Sequence, residues 1–161
     1  GLTIERVSSE SGVAKTTIYR RWASKADMVF DLTIHRLEEA PLVIDTGSLE
    51  GDIRALSERS VFTVMESPGR EILPGLLADV AADPELGERM REGFVTPARE
   101  VIETIFARAA ARGEFDGQVD LDEFHSALLG VPYAWFHILG STDTERIIDH
   151  LSAHLLDLVS R

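Results

Sequence analysis

Residues 12–25 place a turn signal directly before a short basic helix, and this feature limits the possible folds more than any other. Gly12 offers the permissive backbone on which a first helix, capped by Thr3, would end near Ser11. A second helix then begins near Lys15. The sequence therefore predicts two short helices that are joined by a tight turn.

The second helix of this pair has one apolar face. Ile18 and Trp22 are four residues apart and should pack against Ile4 and Val7 of the first helix, and Val13 in the turn is also expected to point inward. The other faces carry basic, hydroxyl and phenol groups: Lys15, Thr16, Thr17, Tyr19, Arg20 and Arg21. Such groups suit a helix in the major groove of double-stranded DNA, where some contact phosphates and others base edges.

Residues 3–29 resemble the DNA-binding region of the TetR (tetracycline-repressor) family of bacterial transcriptional regulators. The resemblance is carried by Gly12, Val13, Lys15, Thr16, Tyr19, Trp22, Ser24 and Lys25. It implies that four residues face the groove: Lys15, Thr16, Thr17 and Arg20. It also implies that four residues hold phosphates, namely Thr3, Tyr19, Arg21 and Lys25. Trp22 would belong to the core.

The chain departs from the family pattern in two respects. Ala14 stands where the family often has a capping Ser or Thr, and the first helix of the family's DNA-binding domain is missing before Gly1. We therefore expect the full-length protein to be longer, with that helix covering the apolar side of the other two.

The charge distribution favours a DNA partner at one end of the chain. Residues 1–37 carry six basic and four acidic groups, a net charge of +2, whereas residues 38–161 carry ten basic and 24 acidic groups, a net charge of −14. Cations gathered on one face set the field near the phosphates, because charges are screened beyond about 8 Å. The alternative is an ordinary helical hairpin whose basic residues are merely solvated.

Composition excludes several classes of protein. The sequence has no cysteine, which excludes disulfides and thiolate chemistry. Its apolar runs are far shorter than the ~18 residues of a membrane-spanning helix, and its N-terminus lacks a signal-peptide pattern. We therefore expect a soluble cytoplasmic protein without a membrane partner.

Start and stop signals along the rest of the chain are those of helices, so an all-α fold is predicted. The predicted helices cover approximately residues 24–39, 53–67, 71–82, 84–112, 120–139 and 142–161. Asp83 and Asp120 are N-caps, and Pro74 is placed in a first turn. Residues 84–112 are either one kinked helix or two helices that meet near Phe94, and we favour the break; a bend is also expected at residues 130–132.

Two domains follow from this pattern. Residues 1–40 form a helix-turn-helix DNA-binding domain, truncated at its N-terminus, with a connecting helix. Residues 41–161 form a helical regulatory domain for ligand sensing and dimerisation.

The last two helices carry wide apolar stripes, which indicate burial on two sides. The predicted dimer interface is Leu121, Phe124, Leu128, Ile147, Leu151, Leu155 and Leu158. The alternative is that these residues form the core of a monomer. The resemblance implies a homodimer through this pair of helices, which would place two reading helices ~34 Å apart on an inverted-repeat operator.

The resemblance also implies a small-molecule effector that releases a repressor from DNA. We expect an apolar or aromatic ligand among the helices of the regulatory domain, although each side chain could instead be plain core. The candidates are Phe62, Met65, Leu73, Leu77, Phe94, Phe106, Tyr133, Trp135, Phe136 and His137.

An enzyme is the competing class. His150 and His154 lie four residues apart with Asp149 beside them, a spacing that can share a metal ion. The zinc-protease pattern needs glutamate after the first histidine, and Leu151 stands there. We therefore predict no enzyme and no cofactor. The third possibility is a helical ligand-binding or interaction module without DNA binding.

Overall fold

The computed structural model describes residues 3–22, 24–25, 27–32, 43–66 and 69–160, and every regular element in these ranges is helical. The α-helices are α1 (Ile4–Ser11), α2 (Lys15–Arg21), α3 (27–32), α4 (Leu49–Met65), α5 (Gly69–Ala82), α6 (Pro84–Met90), α7 (Thr96–Ala111), α8 (Leu121–Tyr133) and α9 (Thr144–Val159). Two π-helical turns, Arg91–Val95 and Ala134–Ile138, follow α6 and α8. The predicted all-α fold is confirmed.

The chain forms two compact units. One comprises Gly1–Pro41 and Glu71–Val95, and the other comprises Leu42–Arg70 and Thr96–Arg161. The first change between units lies beside the boundary predicted at residue 40, but residues 71–95 return to the N-terminal unit. The division of function between residues 1–40 and 41–161 stays a prediction.

Capping side chains begin α1, α6 and α8 as the sequence predicts, whereas α4 and α9 begin at Leu49 and Thr144, after Ser48 and Asp143. Thr3 Oγ1 accepts a hydrogen bond of 3.1 Å from a backbone amide in the first turn of α1. Asp83 and Asp120 each accept two backbone amide hydrogen bonds, at the starts of α6 and α8. Gly12 and Gly140 have φ angles of 71° and 70°, which glycine adopts without steric cost.

Prolines change the helices in ways that differ from prediction. The placement of Pro74 in a first turn is wrong, because α5 already begins at Gly69. The reason is that the Arg70 amide donates to the Glu66 carbonyl at 2.9 Å, which starts the helical hydrogen bonding earlier than the sequence suggests. Pro74 therefore lies inside α5, where it supplies no amide donor.

The expected break near Phe94 is also wrong. Phe94 lies in the π turn Arg91–Val95, so helical backbone continues from α6 into α7. Pro97 is the second residue of α7, directly after the π turn, and it supplies no amide donor there. At the predicted bend of residues 130–132, Pro132 lies inside α8 and a π turn follows the helix, and the bend itself stays a prediction.

Helices α4, α8 and α9 pack together in the C-terminal unit, and α7 joins them. The innermost side chains include Ile53, Phe124, Ile147, Leu151 and Leu155, all with 0% exposure. Six residues of the predicted dimer interface are buried inside this single protomer: Phe124, Leu128, Ile147, Leu151, Leu155 and Leu158. Leu121 is half-buried. The buried side chains therefore belong to the core of the protomer, and the homodimer stays a prediction.

A buried carboxylate connects the segment before α4 to the end of α7. Asp52 is fully buried and accepts hydrogen bonds from the backbone amide and hydroxyl of Thr46, at 2.7 and 2.8 Å. Arg112 lies 3.7 Å from the second oxygen of Asp52 and 2.8 Å from Glu114. Arg112 and the backbone amide of Leu49 hold the pKa of Glu114 below its usual value. This network fixes the N-terminal end of α4.

His125 is a buried imidazole on α8. Its side chain is 6% exposed, and its Nε2 is buried without a hydrogen-bond partner among the described residues. Burial and the nearby Arg99 guanidinium lower the pKa of His125, whereas Asp122 opposes this shift. The folded protein therefore favours the neutral ring.

The His125 environment predicts a loss of stability in weak acid. The unfolded chain binds a proton near its ordinary pKa of 6.5, whereas the folded chain resists protonation, so the free energy of unfolding should fall as the pH drops below about 6.5. Denaturant unfolding between pH 7.5 and 5.5 should give a flatter pH dependence for His125→Gln than for the wild type. His150→Gln, at an exposed position, is the control, and equal slopes for all three proteins would contradict this assignment.

Candidate nucleic-acid interface

Serine side chains from α1 hold the turn between α1 and α2. The Ser8 hydroxyl donates to the Val13 carbonyl at 2.7 Å, and the Val13 amide donates to Ser11 Oγ at 3.2 Å. The Gly12 amide donates to the Ser8 carbonyl at 3.0 Å. Sequence reasoning missed these serines, although their positions just before a glycine are typical of side chains that cap local backbone.

Val13 does not point inward as expected, since its side chain is 41% exposed. The prediction is wrong because the turn holds Val13 through its backbone amide and carbonyl, both of which bond to serines of α1. The side chain is thereby left on the outer side of the turn.

A small core supports α2. Ile4, Ile18 and Met28 are at most 5% exposed, and Val7 and Trp22 pack against them. This confirms the predicted packing of the two helices and adds Met28 from α3. The Trp22 indole also donates a hydrogen bond of 2.8 Å to Asp31, which attaches the end of α2 to α3.

The predicted DNA-contacting side chains are all exposed. They are Thr3, Lys15, Thr16, Thr17, Tyr19, Arg20, Arg21 and Lys25. Ile18 is the buried residue of α2, so the structure brings the predicted side chains of that helix onto its outward faces. Within the described part of the chain, no carboxylate forms an ion pair with Arg20 or Lys25.

Two of the cations have acidic neighbours. Lys15 Nζ lies 3.1 Å from Glu5 Oε1, and Arg21 lies 4.0 Å from Asp31 and over the Trp22 ring. Ala14 is the N-cap residue of α2. It makes no capping hydrogen bond because its methyl side chain has no acceptor atom.

Helices α5 and α6 hold α3 within the N-terminal unit. Phe30 forms a buried cluster with Leu76 and Leu86. Arg89 forms an ion pair with Asp27, and its guanidinium lies 5.3 Å from the centre of the Phe30 ring. Residues of the segment 71–95 therefore support the helix that follows α2.

The predicted effector residues do not form one group within a single unit. Leu73, Leu77 and Phe94 belong to the N-terminal unit, and the other seven belong to the C-terminal unit. Met65 and Phe106 are buried, whereas Phe62 is 64% exposed. A cavity of about 590 Å³ in the C-terminal unit is lined by residues 48–50, 114–117, 156, 159 and 160, which include none of the ten candidates. The effector site stays a prediction.

Aromatic side chains at the end of α8 and in the second π turn contact neighbouring rings. Tyr133 and Phe136 contact the His137 ring at centroid distances of 4.6 and 4.8 Å, and Trp135 stacks on His150 at 5.0 Å. These four predicted effector residues are all half-buried.

The described residues contain no group of three His, Cys, Asp or Glu side chains that could hold a metal ion. His150, a candidate metal ligand by its spacing from His154, contacts the Trp135 ring. No helix in the ranges that the structure covers is both long and apolar enough to cross a membrane.

Comparison with protein families decides the classification. Residues 1–32 match the family model described as bacterial regulatory proteins, tetR family, and residues 43–155 match the one described as tetracyclin repressor-like, C-terminal domain. The chain belongs to the TetR family. Members of the TetR family are transcriptional regulators rather than enzymes, so the competing metal-enzyme interpretation is set aside.

Curated relatives of this TetR-family chain are themselves described as regulators. An uncharacterized HTH-type transcriptional regulator of Mycobacterium tuberculosis is 29% identical over 129 residues, which cover 80% of this chain and 63% of that protein. A DNA-binding transcriptional repressor TetR of Mycobacteroides abscessus is 28% identical, with 76% and 65% covered. The HTH-type regulator AqdR of Rhodococcus erythropolis is 27% identical, with 93% and 71% covered. The chain thus spans less than two thirds of the first two relatives.

Backbone geometry at two glycines predicts stability changes of opposite sign. Gly12 has a positive φ and open space around its missing Cβ, so Gly12→Ala should cost only backbone strain, about 1–2 kcal/mol. Gly130 lies in α8 with open space and ordinary φ, so Gly130→Ala should stabilise by about 0.4–1 kcal/mol. Thermal unfolding of both variants checks this, and destabilisation by both would contradict it.

Proposed function

We propose that this protein binds double-stranded operator DNA and regulates transcription, acting as a homodimeric repressor in the cytoplasm. The observation that carries the proposal is the outward side of α2. This helix buries Ile18 and presents Lys15, Thr16, Thr17 and Arg20 to solvent, directly after the Gly12 turn. In this arrangement the basic groups can donate hydrogen bonds to guanine. The hydroxyl groups can donate or accept hydrogen bonds at other base edges.

The phosphate contacts come from the ends of the helices. Tyr19, Arg21 and Lys25 are exposed and carry donors that phosphate oxygens accept. Thr3 caps α1 through an oxygen lone pair, so its hydroxyl hydrogen is free to donate to a phosphate. These four residues fix the position of α2 on the duplex, and the groove-facing side chains of α2 read the base sequence of the DNA.

The homodimer is proposed to form through the outward sides of α8 and α9. Their inward side chains fill the protomer, as Leu151 and Leu155 do with 0% exposure. Ile138 and Leu139, at the end of the π turn after α8, are 72% and 69% exposed, which supplies apolar surface for a partner. Twofold symmetry would present two α2 helices to successive major grooves.

An apolar or aromatic effector would release the dimer from DNA. Its candidate contacts are the ten side chains already named, of which Met65 and Tyr133 combine an adaptable thioether with a phenol that needs a partner. The effector must bind the released state more tightly than the DNA-bound state, because equal affinity for both would shift nothing. Repression follows when the bound dimer excludes the transcription machinery from a promoter.

Selection from random duplex DNA tests the function as a whole. The full-length protein at near-physiological salt should enrich an inverted repeat, whose symmetry also reports the dimer. Affinity for the selected site should fall linearly on a plot of log affinity against log salt, because bound cations release counterions. Failure to enrich any sequence across a salt series would contradict DNA-specific regulation and favour a helical module without DNA binding.

Alanine substitutions separate reading residues from positioning residues. Lys15→Ala and Thr17→Ala should each lower affinity and relax the preference at particular base pairs by about 1–3 kcal/mol. Tyr19→Ala and Lys25→Ala should weaken all sequences about equally, and Lys25→Ala should reduce the salt slope by about one. Repeating the selection with each variant checks this division, and uniform losses from all four would contradict it.

A further inference from the structure

An exposed ion pair crosses the helix-turn-helix. Glu5 lies in the first turn of α1, and Lys15 is the first residue of α2. Lys15 Nζ and Glu5 Oε1 are 3.1 Å apart, and the two side chains are 49% and 63% exposed. A residue near the start of one helix is thus joined to the start of the helix that carries the reading residues.

The pair constrains a side chain that would otherwise move freely. A lysine ammonium is a compact charge on a flexible stem, and it can reach any nearby phosphate. Bonding of the Glu5 carboxylate with its own backbone amide, and then with Lys15, lowers the pKa of Glu5 from its ordinary value of 4.5, which reflects an attraction between the carboxylate and the ammonium. Lys15 therefore has a fixed anionic neighbour in the protein before it meets DNA.

The other glutamate of α1, Glu10, has a different partner. Glu10 pairs with Arg6 at 2.7 Å along α1, and that pair does not reach α2. Glu5 and Glu10 are therefore matched exposed carboxylates on one helix, of which one contacts a predicted reading residue and the other does not. Substituting each glutamate in turn therefore separates the effect of removing one negative charge from α1 from the effect of breaking the pair with Lys15.

We propose that Glu5 is a positioning residue for sequence recognition, which holds the Lys15 ammonium at the first turn of α2 and away from the phosphates of non-cognate DNA. The inference rests on the proposed function. On the operator, Lys15 reaches a base edge from this position. On other sequences it stays paired with Glu5 and contributes little to affinity.

The test compares affinities for the selected operator and for random DNA of equal length, using the full-length protein. Glu5→Gln should raise affinity for random DNA several-fold and steepen its salt slope by about one, because Lys15 becomes free to neutralise a phosphate. The ratio of specific to non-specific affinity should therefore fall by about fivefold or more. Glu10→Gln, which removes the same charge from α1, should leave the ratio unchanged.

A double-mutant cycle shows whether Glu5 acts through Lys15. In a Lys15→Gln background, Glu5→Gln should no longer change the ratio. An unchanged ratio for Glu5→Gln alone, equal falls for the Glu5 and Glu10 variants, or a persisting effect without Lys15 would each overturn the proposal. Circular dichroism confirms that the variants are folded, as expected for exposed positions.

The outcome also distinguishes failure of the proposed function from failure of the proposed role of Glu5. A wild-type ratio of one would refute sequence-specific DNA binding itself, and the role of Glu5 would fall with it. A high wild-type ratio that Glu5→Gln preserves would refute only the role of Glu5. Carboxyl NMR titration gives an independent measurement, since Lys15→Gln should raise the pKa of Glu5 if the pair exists in solution.

Discussion

Burial of Ile18 against Ile4 and Met28 is the contact on which the candidate DNA interface depends. A helix of seven residues has too few internal hydrogen bonds to be stable alone. Packing of one side chain and a glycine turn hold α2 in place, so its remaining side chains are available to solvent. The indole hydrogen bond from Trp22 to Asp31 then fixes its C-terminal end.

The same unit shows why α2 cannot be considered separately from the rest of the chain. Met28 and Phe30 both lie on α3, yet Met28 packs on the helix-turn-helix and Phe30 packs on α5 and α6. The Arg89–Asp27 ion pair adds a charged contact to the second group. Any rearrangement of α5 or α6 must therefore move or break contacts of α3, the helix that supports α2.

The C-terminal unit illustrates a limit of amphipathic patterns. Wide apolar stripes on α8 and α9 indicate that more than one side is apolar, but they do not say which side meets the chain's own core. Leu151 and Leu155 are wholly internal in a protomer where α4 and α8 both pack on α9, whereas Leu139 is 69% exposed. The proposed dimer surface accordingly lies on different residues from those that the stripe selects.

Several features of the fold depend only on contacts between residues that are close together in the sequence. Thr3, Gly12, Asp83 and Asp120 act on backbone groups within a few positions, so the helix ends and the helix-turn-helix could be predicted from neighbouring residues. The outward basic face of α2 followed from the single buried Ile18.

The fold sets the contacts between residues that are distant in the sequence. It paired Lys15 with Glu5 across the turn, placed residues 71–95 with the N-terminal unit, and buried Asp52 beside Arg112. Each of these contacts depends on which segments of the chain come together in space. Helical periodicity does not specify this, because it fixes only which residues share a face of one helix.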